Sequence, residues 1–168
     1  MEGDKNSFIV ENVLYRPENN FLEGFYYDKE TMAFYESAGL YKKSKVQRLN
    51  ADPETNVLQI DETGVTKLAD RYFGEGLAPR SESEFALLTY RERVLMTVDR
   101  ETMKLLGRSY SIPEEIKEGW GFTADESVVN ENGYYTMYAS DGSSNIYEIS
   151  GETMKVMSTI KVWNPFTN

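Results

Sequence analysis

The sequence predicts an all-β chain organised as successive β-propeller-type blades, and three observations carry that prediction. An aromatic residue stands close to a Gly followed by an apolar residue in "FLEGF", "FGEGL" and "EGWGF", which puts Gly24, Gly76 and Gly121 in register. A Glu-Thr step recurs in "DPETNVL", "DRETMKLL" and "SGETMKVM", aligning Thr55, Thr102 and Thr153. Between these marks lie short segments rich in aromatic and aliphatic residues, several of them alternating with period two. Marks that return about every 45 to 50 residues have the period of a propeller blade. One domain over 1–168 is therefore expected, with approximate blades at 18–70, 71–115 and 116–163.

The strands follow in order. The first unit supplies "MAFYESA", "KVQRLN" and "NVLQI", the second "FALLTY", "RVLMTVD" and "KLLGRSY", the third "YYTMYAS", "NIYEIS" and "KVMSTIKVW". Each Glu-Thr step reads as a tight turn in which Asp and Thr side chains bond the local backbone, and "DKETMAFY" repeats that turn inside the first unit. "SDGSS" reads as a hairpin turn built on Asp141 and Gly142, not as a phosphate or calcium loop. Two short stretches, "GVTKLADRY" and "PEEIKEG", are the only helix candidates.

Composition narrows the chemistry. The chain has 168 residues, of which 40% are hydrophobic, 13% aromatic and 27% charged, a globular profile long enough to bury a core. Its formal net charge of -10 argues against nucleic acid and against an anionic membrane surface, both of which need clustered Lys and Arg. No apolar run approaches the roughly 20 residues of a membrane span, and "MEGDKNSFIV" lacks the basic and apolar regions of an export signal. With no Cys and no His, thiolate nucleophiles, Ser-His-Asp triads and imidazole-bound zinc are excluded. Acid-base work falls to carboxylates, Tyr or Lys.

Residues entering the innermost strand of each blade face the central axis. Glu23, Glu75 and Trp120 occupy matching positions beside the aligned glycines, so the geometry brings them towards one axial pocket. The same glycines serve equally well as sites of close backbone packing at a narrow axis.

The ordered series "FLEGF", "YESAGLYKKSKVQRL", "YFGEGLA", "LLTY", "EEIKEGWGF", "SDGSS" and "ETMKVMSTIKV" resembles the metal-free glutaminyl-peptide cyclotransferases of plants and bacteria, through nearly the whole chain. The resemblance implies a five-bladed propeller, of which this chain matches the first three blades. It implies conversion of N-terminal glutaminyl residues to pyroglutamyl with release of ammonia, with no cofactor and no metal. Peptides or proteins with N-terminal Gln are the implied partners, and the family is usually secretory or extracytoplasmic. Carried over position by position, Glu75 becomes the proton shuttle. Phe21, Glu23, Phe73, Tyr90 and Trp120 become substrate-binding residues.

Departures from the family pattern sit beside these matches. Glu23 replaces a Gln in the family's Phe-Thr-Gln-Gly, which puts a second carboxyl near Glu75 and raises the upper apparent pKa of the pair. Tyr90 stands where the family tends to have Trp. Lys42 and Lys43, and the lengthened "ADESVVNENGYYTMYA", read as surface-loop variation. The family's later Asn-Glu-Leu-Glu segment, a further Trp and a Lys have no counterpart here. A partial propeller, or one completed by another chain, is therefore expected. The alternative function is a catalytically degenerate propeller segment acting as a binding or assembly subunit.

Overall fold

The computed structural model describes residues 9–16 and 20–163. The start of the chain, where the sequence reads as lacking an export signal, and the extreme ends of the 1–168 domain lie outside the described residues. Within them the chain forms three four-stranded antiparallel sheets. The first holds β1 (Leu22–Asp28), β2 (Ala33–Ala38), β3 (Lys45–Asp52) and β4 (Val57–Lys67). The second holds β5 (Gly74–Pro79), β6 (Glu84–Thr89), β7 (Val94–Asp99) and β8 (Leu105–Ser111), and the third β9 (Phe122–Val129), β10 (Tyr135–Ser140), β11 (Asn145–Ser150) and β12 (Val156–Lys161). Each sheet is a meander in chain order, and the first strands of the three, β1, β5 and β9, lie side by side. Among the described residues no helix is long and apolar enough to cross a membrane.

Packing explains why the apolar runs differ between units. One core fills the space between the first and second sheets, with Tyr35, Val46, Leu77, Phe85, Leu87 and Met96. A second core, including Leu88, Leu95, Ile116, Met137 and Ile149, fills the space between the second and third sheets. The middle sheet is thus covered on both faces, and "FALLT" and "LMTV" are continuously buried. A strand buried on both sides has no reason to alternate. The inner strand of the first sheet does alternate: Tyr26 packs on Phe85, whereas Phe25 and Tyr27 pack on Phe34 on the opposite face.

The Glu-Thr steps are four copies of one turn. Asp28 Oδ1 accepts from the Glu30 amide at 2.9 Å, Asp52 Oδ1 from the Glu54 amide at 2.9 Å, and Asp99 Oδ1 from the Thr102 amide at 2.8 Å and hydroxyl at 2.7 Å. In the third sheet Ser150 Oγ takes the Asp role, accepting from the Thr153 amide at 3.2 Å. The residue after each Thr is left-handed, with φ of 55° at Met32, 55° at Asn56, 57° at Met103 and 58° at Met154. In three of the turns that residue's amide donates to the carbonyl four positions earlier, Asn56 to Asp52 and Met103 to Asp99 at 2.9 Å and Met154 to Ser150 at 2.8 Å, closing a four-residue hairpin loop. These bonds hold the Asp99 carboxyl below its ordinary value of 3.8. A depressed carboxyl stabilises the fold above its unfolded pKa, and the contribution is lost as pH falls through the folded value. Asp99→Ala is expected to lower unfolding stability by about 1 kcal/mol at neutral pH and by less in acid, measured by urea denaturation.

Arginines join neighbouring sheets. Arg80, 2% exposed, donates to the carbonyls of Gly151 and Glu152 in the β11–β12 turn, and lies over the rings of Tyr110 and Tyr134. Arg100 pairs with Asp28 at 3.0 Å, tying the second sheet to the first. Farther along the inner strands, the Tyr26 hydroxyl donates to Glu126 Oε1 at 2.8 Å and so links β1 directly to β9.

Both helix candidates are corrected. "GVTKLADRY" continues β4 through Lys67, because Thr66 and Lys67 pair with Val46 and Lys45 after a register shift. "PEEIKEG" is a turn: the Arg93 guanidinium takes the carbonyls of Ile112, Pro113, Ile116 and Lys117, which fixes a non-helical course while Ile112 and Ile116 enter the core. "SDGSS" is the β10–β11 connection. Buried Asp141 accepts from the Ser143 and Lys117 amides and from the Tyr147 hydroxyl, each at 3.1 Å.

Candidate functional site

Where the three inner strands begin, the backbones come into unusually close approach. Gly24 packs against the Leu77 amide and Ser37 Oγ, and the Gly76 amide donates to the Trp120 carbonyl at 3.0 Å. A Cβ at Gly76 would fall 2.6 Å from Phe122 N and from the Trp120 oxygen. Neighbouring sheets therefore meet at glycines, and the side chains just before them turn towards a shared space. Ser37, from the first sheet, donates its hydroxyl to the Glu75 carbonyl and pins β5 across the sheet boundary.

The shared space is a cavity of about 360 Å³ lined by Phe21, Glu23, Phe73, Glu75, Tyr90, Trp120 and Gly121. The six site residues expected from sequence all line it. Their contributions differ. Glu75 is only 8% exposed and lies in the interior wall, while Trp120 at 43% and Phe21 at 55% stand at the rim. Phe73 forms the aromatic centre, with its ring centroid 6.0 Å from Phe21, 5.8 Å from Tyr90 and 5.5 Å from Tyr41.

Charge in the cavity is predominantly negative. The Glu75 carboxyl is pushed up to about 8, first by burial, then by the negative charge of Glu23 and the hydrogen bond between the two, with Glu118 and Glu92 adding to the effect. Glu23 is raised by burial and partly relieved by its hydrogen bond to Glu75. Glu118 lies low because the Trp120 indole N–H donates to it, at 3.2 Å, with Arg91 as a second donor at 3.1 Å. Glu92 accepts from the Phe73 amide at 3.3 Å and the Tyr41 hydroxyl at 2.7 Å. Among the described residues no group of three or more acidic residues is arranged to hold a metal ion. The arrangement can hold a proton at neutral pH beside an aromatic slot.

Three supporting residues escaped the sequence reading. Ser37 and Glu92 are ordinary polar residues outside the repeated marks, and Glu118 opens "EGWGF" where the other two marks have Phe21 and Phe73. Only the position of Glu118 two residues before Trp120 offered a signal.

Comparison with known proteins followed the same direction. A family model described as glutamine cyclotransferase matches residues 5–166. A glutaminyl-peptide cyclotransferase of Arabidopsis thaliana is 31% identical over 136 residues, covering 81% of this chain and 37% of the relative. The crystal structure of Myxococcus xanthus glutaminyl cyclase superimposes with a TM-score of 0.64 at 20% identity, over 86% of this chain and 52% of that one. Kuenenia stuttgartiensis hydrazine synthase gives a TM-score of 0.53 at 13% identity, over 94% of this chain and 40% of that chain, a likeness of fold. The chain thus spans about a third to a half of the length of these relatives.

Proposed function

This chain belongs to the glutamine cyclotransferase family, and on that premise we propose that it converts N-terminal glutaminyl residues to pyroglutamyl with release of ammonia, Glu75 carrying the proton. The observation that supports this most directly is a carboxyl, 8% exposed, whose pKa is pushed up to about 8 beside an aromatic slot. The reaction needs the substrate's α-amine freed of its proton so that it can attack the γ-carboxamide carbon, and it needs a proton for the departing ammonia. One carboxyl poised near neutrality serves both steps, because it binds and releases a proton at comparable cost.

The aromatic residues then have a binding role. Phe21, Phe73, Tyr90 and Trp120 line the cavity and offer flat apolar faces to the substrate's amide side chain. Trp120→Ala is expected to raise KM for a Gln-initiated peptide by about tenfold, the kinetic equivalent of roughly 1.4 kcal/mol of lost contact. Ammonia release from such a peptide, compared between the parent chain and Glu75→Gln, tests the proposal. Equal background rates would overturn it.

A second reading, a catalytically degenerate propeller segment serving in binding or assembly, draws on the outward faces of the flanking sheets. Phe25 is 47% and Tyr27 45% exposed on the first, and Ile160 is 48% exposed on the third, opposite Ile146. Light scattering that gave a stable monomer with cyclase turnover would remove this reading.

A further inference from the structure

The geometry points to Glu23 as a second catalytic residue: Glu23 and Glu75 form one proton-sharing carboxyl pair whose single negative charge receives the substrate's α-ammonium group. The inference rests on the cyclase reading and names a role within that site.

Three observations carry it. Glu23 and Glu75 stand at the same step of adjacent inner strands, each directly before a glycine at which two sheets touch, so both side chains lean into one cavity. Their carboxyls are close enough for each to shift the other's titration through charge and hydrogen bonding. Two carboxylates have no hydrogen to donate to one another, so a hydrogen bond between them exists only while the pair holds a proton. Third, the groups around the pair favour keeping it. Glu92 and Glu118 add negative charge from the loops that lead out of β6 and into β9. The nearby cation, Arg91, is engaged by Glu118 and by the hydroxyl and ring of Tyr90, and Tyr41 donates to Glu92. Like charges at short range cannot both ionise readily, so the pair titrates as a unit with two well-separated steps.

A pair holding one proton can run the reaction without another group. The pair, at charge -1, takes a proton from the α-ammonium and becomes neutral. The freed amine forms a bond to the carboxamide carbon, and the carbonyl π electrons move to oxygen, which accepts a hydrogen bond from the Glu23 O–H. Glu75 passes its proton to the carboxamide nitrogen while the pair takes one from the new ring nitrogen. The carbon–nitrogen bond breaks, ammonia leaves, and the pair gives its extra proton to ammonia or water. Protons and charge balance, and the pair ends as it began.

A single base and a proton-sharing pair predict opposite behaviour in alkali. A lone Glu75 acting as base gains activity as pH rises through about 8, and the substrate amine, which loses its proton near the same pH, pushes in the same direction. The pair loses its donor there. For a Gln-initiated peptide, kcat of the parent is therefore expected to fall above about pH 8. Glu23→Gln abolishes that fall, because an amide N–H does not titrate. It also lowers kcat near neutrality several-fold, because Glu75 loses its anionic neighbour and binds its proton less tightly. Glu23→Ala removes the donor and lowers kcat by about 10²-fold. A parent rate that climbs to a plateau in alkali, or Gln and Ala substitutions with the same profile, overturns the inference. Carboxyl ¹³C NMR titration reads the pair without turnover. Two coupled steps that collapse to one in Glu23→Gln support the pair, and if turnover is then absent the cyclase reading has failed separately. Two independent titrations in the ordinary carboxylate range overturn the pair whatever the turnover.

Discussion

Glu75→Gln is expected to lower kcat for a Gln-initiated peptide by about 10²–10⁴-fold, the usual contribution of a positioned acid-base group, with KM nearly unchanged. The substitution keeps the size and planarity of the side chain, so the aromatic slot stays formed while the proton carrier disappears. Stability should move the other way. A buried carboxyl whose pKa is raised from 4.5 to about 8 makes the folded state bind a proton that the unfolded state has released across that range. Stability therefore falls as pH rises from about 4.5 to about 8, and Gln removes that loss. Thermal unfolding at the two ends of the window should show Glu75→Gln gaining on the parent as pH rises. A variant that is both inactive and uniformly less stable would indicate a collapsed site and not a missing proton carrier. This opposition, lower activity with higher stability, is what a carboxyl held for chemistry produces.

Gly76→Ala carries the largest expected structural effect. Its added Cβ would meet Phe122 N, Phe122 Cβ and the Trp120 carbonyl at 2.6 Å. Two of those three are backbone atoms, so no side-chain rotation relieves the clash, and β5 must move away from the entry to β9. Overpacking of this kind costs about 3 kcal/mol at its upper range, which corresponds to a drop in Tm of roughly 6–12 °C for a chain of this size. KM should rise as well, because Trp120 is displaced with its own carbonyl. Unchanged thermal unfolding would mean that the inner strands do not approach as described.

Much of the fold was legible because the chain repeats. Aligned glycines and Glu-Thr turns announce equivalent strands, and the register of the marks alone predicted that Glu23, Glu75 and Trp120 would meet. What repetition cannot carry was harder to read. Ser37 and Glu92 reach the site from points outside the marks, through contacts that only the assembled sheets create. The two helix expectations failed for a related reason: β4 is held extended by its long pairing to β3, and the 113–119 turn is held by Arg93, a residue some 20 positions away. Local propensity is silent about both.

The bond from Tyr26 to Glu126 also bears on what can approach Glu75. It crosses from β1 to β9 three residues beyond Glu23 along the same strand, about 10 Å deeper at the usual rise of a strand. Arg100, 3.0 Å from Asp28 and resting over Phe85, fills the space beside it. The strand beginnings, where Phe21 and Trp120 stand exposed, lie at the opposite end from that tie, and it is from there that a substrate of the proposed reaction would reach Glu75.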